Sequence, residues 1–220
     1  EIEVCDWSSD VCSSDLLGVL TEQVATAASE LIWRRYRYLA DLNRYAAEAY
    51  RAISGQREEL RVLYRPSAKE ITAADQPAQI KQKLLDRFAE IADDELRRAT
   101  TQLGPHRDDL EFQLDGKNAH LFASQGQQRT IALSLKLAEI QLIKQLTGEE
   151  PILLLDDVMS ELDQNRQAAL LNFIHGQTQT FITTTDLDSI SQEIVKQPRI
   201  FYIHSGQIIE KEEGLNGRRR

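Results

Sequence analysis

The sequence lacks the features of a membrane or secreted protein. No apolar run approaches the roughly 20 residues that a transmembrane helix needs, and no basic stretch followed by an apolar core marks a secretory signal. Of its 220 residues, 41% are hydrophobic and 28% are charged, a balance that allows a sizeable buried core. We therefore expect a folded, cytoplasmic protein with no membrane partner.

Cysteine is scarce: Cys5 and Cys12 are the only two, and both lie near the amino terminus. No histidine lies near them, so a metal pair is disfavoured, as is a small disulfide loop. The surrounding stretch, VCDWSSDVCSSDL, repeats Ser-Ser-Asp without helical or strand periodicity and is typical of a translated sequencing adapter. We expect residues 1–16 to be non-native in origin and predict the fold from residue 17 onward.

Basic residues are fewer than acidic ones, which gives a net charge of −9. This excludes indiscriminate nucleic-acid binding by the whole surface, but a local basic patch is still compatible with it. The segment from Arg34 to Arg65 has eight arginines against four acids. These arginines either cover apolar surface with their stems on a solvated helix face or contact a phosphate backbone. The candidates for contact with DNA or a partner are Arg34, Arg35, Arg37 and Arg44.

Residues 21–103 have a mostly helical pattern. A first helix is expected from Thr21 to Ile53, because apolar residues recur there at three- and four-residue steps. Its predicted apolar face consists of Tyr38, Leu42, Tyr45, Ala49 and Ile53. A short strand is expected around Val62, and a second helix follows Pro77 and ends before Gly104. The predicted buried face of this second helix consists of Ile80, Leu84, Phe88 and Ile91.

Beyond Gly104 the pattern changes to alternating strands and helices, which predicts an α/β fold class. LEFQLDGKNAHLF predicts a hairpin with an Asp-Gly turn, and SQGQQR precedes a long helix that ends near Gly148. PILLLDD and QTFITTT predict strands buried on both faces of a parallel sheet. Helices are expected at 163–174 and from about 187, and RIFYIHSGQII predicts a closing hairpin.

Two adjacent acids, Asp156 and Asp157, follow the apolar run ILLL. At the carboxyl end of a parallel strand, one acid can hold hydrated magnesium while the other orients a water molecule. A capping or turn role for the pair is an equal alternative when the run is considered alone. Ser160 and Asp163 come next, and either is suited to cap a helix.

The turn SQGQQR is suited to bind an anion. The first amide groups of a helix have no intrahelical acceptor, and the positive end of the helix dipole attracts negative charge. The hydroxyl of Ser124 can add to this, and Gly126 permits close approach of the backbone. An ordinary helix cap is the competing interpretation.

GPHRDDL, SQGQQRT and LLLDDVMSELD, in that order, resemble the RecF family of bacterial recombination mediators, which are relatives of the ABC-type and SMC-like ATPases. The resemblance extends from about residue 20 to 211. It implies a partial ABC-type ATPase head with an α-helical second domain at 17–103 and the returning half of the head at 104–220. The glycine-rich GxxxxGK[ST] loop of such heads does not occur in this sequence, so the resemblance implies a carboxyl-terminal fragment that lacks this loop.

The resemblance also implies roles for residues. Asp156 would position Mg²⁺ and Asp157 the hydrolytic water, while Asp163 would bridge two subunits. ATP held by a second subunit would be contacted by the signature-like turn, whose residues are Ser124, Gln125, Gly126 and Gln127. The family's switch residue, usually histidine, is replaced by Thr184 or Thr185, which cannot be cationic. Arg107, in GPHRDDL, is either part of an ion-pair network or a further contact residue.

The implied function is ATP-dependent homodimerisation on DNA at single-strand gaps and junctions with duplex, which aids recombinase loading with RecR and RecO as partners. A different SMC-like or RecN-like head is an alternative, although the sequence has no sustained heptads for a coiled-coil arm. For these 220 residues alone, we expect a non-catalytic interaction module that binds ATP weakly or not at all.

Overall fold

The computed structural model describes residues 10–55, 58–185 and 198–210. In these ranges the chain forms five α-helices and seven β-strands, joined in one place by a 3-10 turn at Val158–Glu161. In chain order the elements are α1 Asp10–Ser54, β1 Leu60–Arg65, α2 Pro77–Arg98, β2 Asp109–Leu114, β3 Lys117–Asn118, α3 Ala119–Phe122, α4 Gln125–Thr147, β4 Leu153–Asp156, α5 Gln164–Ile174, β5 Thr180–Thr183, β6 Phe201–His204 and β7 Gln207–Glu210. The fold class is α/β, as predicted.

Helix α1 is longer than expected and begins at Asp10 instead of near Thr21. Extending an existing helix adds one hydrogen bond for each residue fixed, so it tolerates a segment that has no apolar periodicity of its own. Its buried face includes Leu42, Ala49 and Ile53, as predicted, but Tyr38 is 43% exposed. The buried stripe also includes the alanines Ala25, Ala28 and Ala46, which allow close packing of neighbouring elements, together with larger residues such as Ile32 and Tyr50.

Helix α2 matches its prediction closely. Pro77 occupies its first turn, where the missing amide hydrogen costs nothing, and Ile80, Leu84 and Phe88 are buried. The helix ends at Arg98, ahead of the expected stop at Gly104, because Ala99 adopts a left-handed conformation with φ of 50°. Arg97 and Arg98 in the last turn interact favourably with the negative end of the helix dipole.

The predicted hairpin after Gly104 is only partly present. Strand β2 is followed by a turn at Asp115 and Gly116, but β3 has two residues and the chain then enters α3. The side chain of Asn118 caps α3 by accepting from the amides of His120 and Leu121. The alternation of Leu110, Phe112 and Leu114 therefore predicted only the first strand.

The chain divides into two compact units between Pro151 and Ile152. This division does not coincide with the boundary expected between residues 103 and 104, for two physical reasons. Strand β1 pairs antiparallel with β2 over six residues, from Leu60 opposite Leu114 to Arg65 opposite Asp109. Helix α4 also packs against α1. The assignment of 17–103 and 104–220 to separate domains of a parent protein stays a prediction.

In the second unit, β4 and β5 form a parallel pair and β6 and β7 form the predicted hairpin. The expectation that β4 and β5 are buried on both faces is wrong for the described residues. Leu153 and Leu155 are buried, but Leu154 is 72% exposed and Phe181 is 48% exposed. The helix expected from about 187 lies outside the described residues. In the described ranges, no helix combines the length and apolar character needed to cross a bilayer.

Candidate nucleotide site

The acid pair lies at the carboxyl end of β4, as the sequence predicted. Parallel pairing with β5 places Asp156 opposite Thr183, so side chains from two neighbouring strands meet at one edge. The carboxylate of Asp156 accepts a hydrogen bond from the hydroxyl of Thr183, and both side chains are exposed. This is the edge at which ligands bind in open α/β sheets.

Asp157 begins the 3-10 turn with a left-handed backbone, at a φ of 51°. Its amide donates to the Thr183 hydroxyl oxygen over 3.0 Å, and its carbonyl accepts from the Ser160 hydroxyl over 2.8 Å. Among the described residues, the Asp157 carboxylate has no hydrogen-bond or ion-pair partner. It is therefore accessible to water, as a residue that orients a water molecule must be.

Asp163 is the N-cap of α5, which confirms the capping interpretation. Its carboxylate accepts from the amide of Arg166 over 3.0 Å and lies 3.5 Å from the Arg166 guanidinium. The side chain is 57% exposed, so the cap does not prevent contact with another molecule. Its predicted bridging role is not tested by this arrangement.

The oxygen atoms at the β4 edge fit a magnesium ion of the kind that nucleotides carry. Mg²⁺ in such sites is bound by one or two carboxylates, substrate phosphates and water. Asp156 uses one oxygen for Thr183, and its second oxygen has no partner in the described part of the chain. In those same residues no group of three or more His, Cys, Asp or Glu is arranged to hold a metal, so any cation here depends on ligands from phosphate or water.

The signature-like turn forms the start of α4 as a complete capping box. The Ser124 hydroxyl oxygen accepts from the amide of Gln127 over 3.3 Å, and the Gln127 side chain accepts from the amide of Ser124 over 2.7 Å. The amides of Gln125 and Gly126, at the first two helical positions, have no acceptor among the described residues. The hydroxyl hydrogen of Ser124 likewise has no acceptor there, so three donors are available at this helix end.

Gln127 is held in place by a second set of contacts. Its side-chain nitrogen Nε2 donates to one carboxylate oxygen of Glu58 over 2.5 Å. The other oxygen of Glu58 accepts from the hydroxyl of Tyr50 over 2.7 Å. Tyr50 is fully buried in α1. The start of α4 is therefore fixed to the core of the first unit, which reduces the entropic cost of binding at this end.

Comparisons with known proteins agree with these motifs. No family profile matches the chain. It is 60% identical over 197 residues to the DNA replication and repair protein RecF of Lactobacillus acidophilus, a match that covers 89% of this chain and 52% of that protein. It is 44% identical over 195 residues to the RecF protein of Ligilactobacillus salivarius, a match that covers 89% of this chain and 51% of that protein. Along 89% of its length, the chain is similar to RecF proteins.

The structural comparison leads to the same family. A solved structure of the recombination mediator protein RecF-ATP in the RecFOR pathway superposes with a TM-score of 0.75 at 34% identity, over 90% of this chain and 51% of that one. The fold is thus that of a RecF protein, an ABC-type ATPase. The chain spans about half the length of the curated RecF relatives it matches.

The RecF-like motif GPHRDDL contributes a residue whose environment the sequence did not reveal. Asp108 is fully buried and accepts hydrogen bonds from the hydroxyl of Tyr64 and from the amide of Ser67, the latter over 2.7 Å. The Arg35 guanidinium lies 3.8 Å away and donates to the carbonyl of Pro105 over 2.6 Å. Burial, together with the bond to Asp108, raises the pKa of the Tyr64 hydroxyl. In the sequence, the one indication of this ion-pair network was the Arg-Asp-Asp triplet of the motif.

The five candidate arginines occupy different environments in this RecF-type fold. Arg35 belongs to the Asp108 network, so the structure gives it a packing role. Arg107 donates to the carbonyl of Thr101 over 3.1 Å and remains exposed. Arg44 stacks on Tyr45 and lies 3.6 Å from Asp41. Arg34 pairs with Glu30 over 2.7 Å, whereas Arg37 stacks on Trp33 and has no carboxylate partner in the described residues.

Proposed function

We propose that this chain acts in DNA replication and repair as part of a RecF-type ATPase, which binds ATP and Mg²⁺, forms a homodimer and binds DNA at single-strand gaps. In this role it aids recombinase loading in the cytoplasm during recombinational repair and the SOS response, with RecR and RecO as partners. The observation that carries the proposal is the acid pair at the end of β4, held by Thr183 next to an exposed edge. The similarity to a DNA replication and repair protein supports it.

The chemistry proposed for the acid pair follows from its contacts. The second oxygen of Asp156 would hold Mg²⁺, and a bound ion would supply positive charge for the phosphates. Asp157 orients or activates the attacking water, because its carboxylate is exposed and unpartnered among the described residues. Thr184 or Thr185 can contact a phosphate or a water through a hydroxyl but supplies no positive charge, so turnover is slow.

The start of α4 is proposed to serve the ATP of a second subunit. The amides of Gln125 and Gly126, which have no acceptor in the described ranges, favour a phosphate group, as do the hydroxyl of Ser124 and the helix dipole. Gln127 holds the turn in shape through the capping box. The exposed carboxylate of Asp163 bridges to the partner subunit in the same assembly.

Contact with DNA is assigned to the exposed arginines of α1. Arg37 is the strongest candidate, since it has no carboxylate partner in the described part of the chain and its guanidinium is presented on Trp33. Arg34 and Arg44 each have a nearby acid and are weaker candidates. Arg107 is exposed but bonded locally, and Arg35 is occupied by the Asp108 network.

A second candidate function is favoured by the absence of GxxxxGK[ST] from the sequence. The 220 residues by themselves act as an interaction module, which supplies the signature-like turn to a RecF protein that contains its own glycine-rich loop. An SMC-like or RecN-like head is disfavoured, because the matched relatives are RecF proteins.

Two measurements test these proposals. Titration calorimetry of the chain with ATP and Mg²⁺ is expected to give little heat, and a micromolar site would contradict the interaction-module assignment. Sedimentation of the chain mixed with a RecF protein that contains GxxxxGK[ST] should show association that requires ATP and Mg²⁺. Association that is equal with and without nucleotide would contradict a shared ATP site.

A further inference from the structure

The Thr183 hydroxyl bridges both acids, and its orientation follows from chemistry. The amide of Asp157 can only donate, so the Thr183 oxygen must accept this bond over 3.0 Å. The single hydroxyl hydrogen is then directed to the carboxylate of Asp156. One side chain on β5 therefore determines the position of a carboxylate and of the following peptide on β4.

This bridge has consequences for each acid. Asp156 has one oxygen held by Thr183, which fixes the side-chain rotamer and leaves the second oxygen as the ligand atom. Asp157 is held in a left-handed conformation at a φ of 51°, which is disfavoured for residues with a side chain. The Thr183 hydroxyl oxygen accepts from the amide of Asp157, and the Ser160 hydroxyl donates to the carbonyl of Asp157 over 2.8 Å. The backbone of Asp157 is therefore held on both sides.

Burial does not require this arrangement. Thr183, Asp156 and Asp157 are all exposed, so water can satisfy each polar group. Thr180, three residues earlier on β5 and opposite Leu153, instead donates to the carbonyl of Thr178 over 3.2 Å. Thr180 is half-buried at the opposite end of β5, whereas Thr183 is exposed, lies next to the acids and orients them.

We propose that Thr183 is the positioning residue for the acid pair. It orients the second oxygen of Asp156 toward a divalent cation and holds Asp157 where its carboxylate faces water. This inference rests on the proposed function, in which Asp156 binds Mg²⁺. Outer partners of this kind commonly change metal affinity about 10-fold or more when they are removed.

The test uses Mn²⁺ as a paramagnetic probe and the full 220-residue chain. Broadening of the amide resonances of Asp156 and Asp157 is followed as Mn²⁺ is added to the wild type and to three variants. Thr183→Val removes the hydroxyl and keeps the shape, whereas Thr183→Ser keeps the hydroxyl. Thr180→Val is the control, because it removes the hydroxyl of the other threonine in β5. Hydrogen exchange of the Asp157 amide is measured on the same samples.

The expected result is Mn²⁺ affinity weakened about 10-fold and faster exchange of the Asp157 amide in Thr183→Val only. Thr183→Ser and Thr180→Val should resemble the wild type, and the thermal midpoint should change little in all three variants. Unchanged affinity and exchange in Thr183→Val would overturn the inference and leave the proposed function standing. Absence of broadening at Asp156 in the wild type would overturn the cation role of Asp156, and the inference with it.

Discussion

The two compact units differ in how completely they bury their own apolar surface. In the first unit, Tyr50, Ile80 and Leu84 are fully buried among α1, α2 and β1. In the second unit, Met159 and Leu170 are fully buried, but Leu154 is 72% exposed. Parallel strands are normally covered on both faces, so in the described residues the second unit has an uncovered apolar face.

The groups proposed to act in the two units are supported in different ways. In the first unit, Glu58 links Gln127 at the start of α4 to the buried Tyr50. The start of α4 is therefore held by a buried side chain. The acid pair of the second unit depends on an exposed threonine instead. Matched substitutions in the two units test this contrast.

The largest effect is expected from Leu84→Ala, compared with Leu154→Ala. Leu84 is fully buried and Leu154 is 72% exposed, so the first change should lower the free energy of unfolding by about 3 kcal/mol through lost burial and a cavity. The second should change it by less than about 0.5 kcal/mol. Urea unfolding followed by far-ultraviolet circular dichroism measures both. Equal losses would contradict the contrast between the units.

Asp108→Asn should be the next most destabilising change, at about 2 kcal/mol, because a buried carboxylate with charged and hydroxyl partners is replaced by an amide. The matched change in the second unit is Asp156→Asn. Its amide oxygen can still accept from Thr183 at an exposed position, so we expect no measurable loss of stability. The same unfolding experiment compares them, and a larger loss for Asp156→Asn would refute this interpretation.

Ser124→Ala should destabilise α4 by about 1 kcal/mol, because it removes the side-chain cap of that helix. Ser124→Asn is the control, since asparagine caps helices equally well and should keep the wild-type stability. Amide hydrogen exchange in the first turn of α4 reports the effect. Equal protection in all three proteins would show that the capping box contributes nothing.

The smallest effect concerns pH. The hydrogen bond from Lys83 lowers the pKa of Asp75 below its ordinary value of 3.8. A lowered folded-state pKa adds stability that is full above the ordinary value and is lost as the pH falls through the lowered one. Lys83→Met should reduce the stability lost at acidic pH, because only the hydrogen bonds from Thr72 would then lower the pKa of Asp75. Its cost at neutral pH should be at most about 1 kcal/mol. Unfolding curves at neutral and acidic pH check this, and an unchanged pH profile in Lys83→Met would contradict it.

Local patterns predicted most of the elements but few of the contacts between them. Apolar periodicity predicted α2 and α4, and alternation predicted β1, because each pattern repeats within its own element. The pairing of Thr183 with Asp156 joins residues that lie 27 positions apart, which no local pattern encodes. The exposure of Leu154 could not be predicted either. An apolar run predicts a strand, but it does not indicate whether another element packs on each face of that strand.

The most direct test of the shared-site account compares Ser124→Asp with Asp157→Asn in the mixture with a RecF protein that contains GxxxxGK[ST]. Aspartate keeps the helix cap but repels phosphate, so Ser124→Asp should abolish association that requires ATP and Mg²⁺, while Ser124→Asn should weaken it less. Asp157→Asn should leave association intact, because its proposed role is in turnover. Loss of association in Asp157→Asn together with normal association in Ser124→Asp would contradict the account.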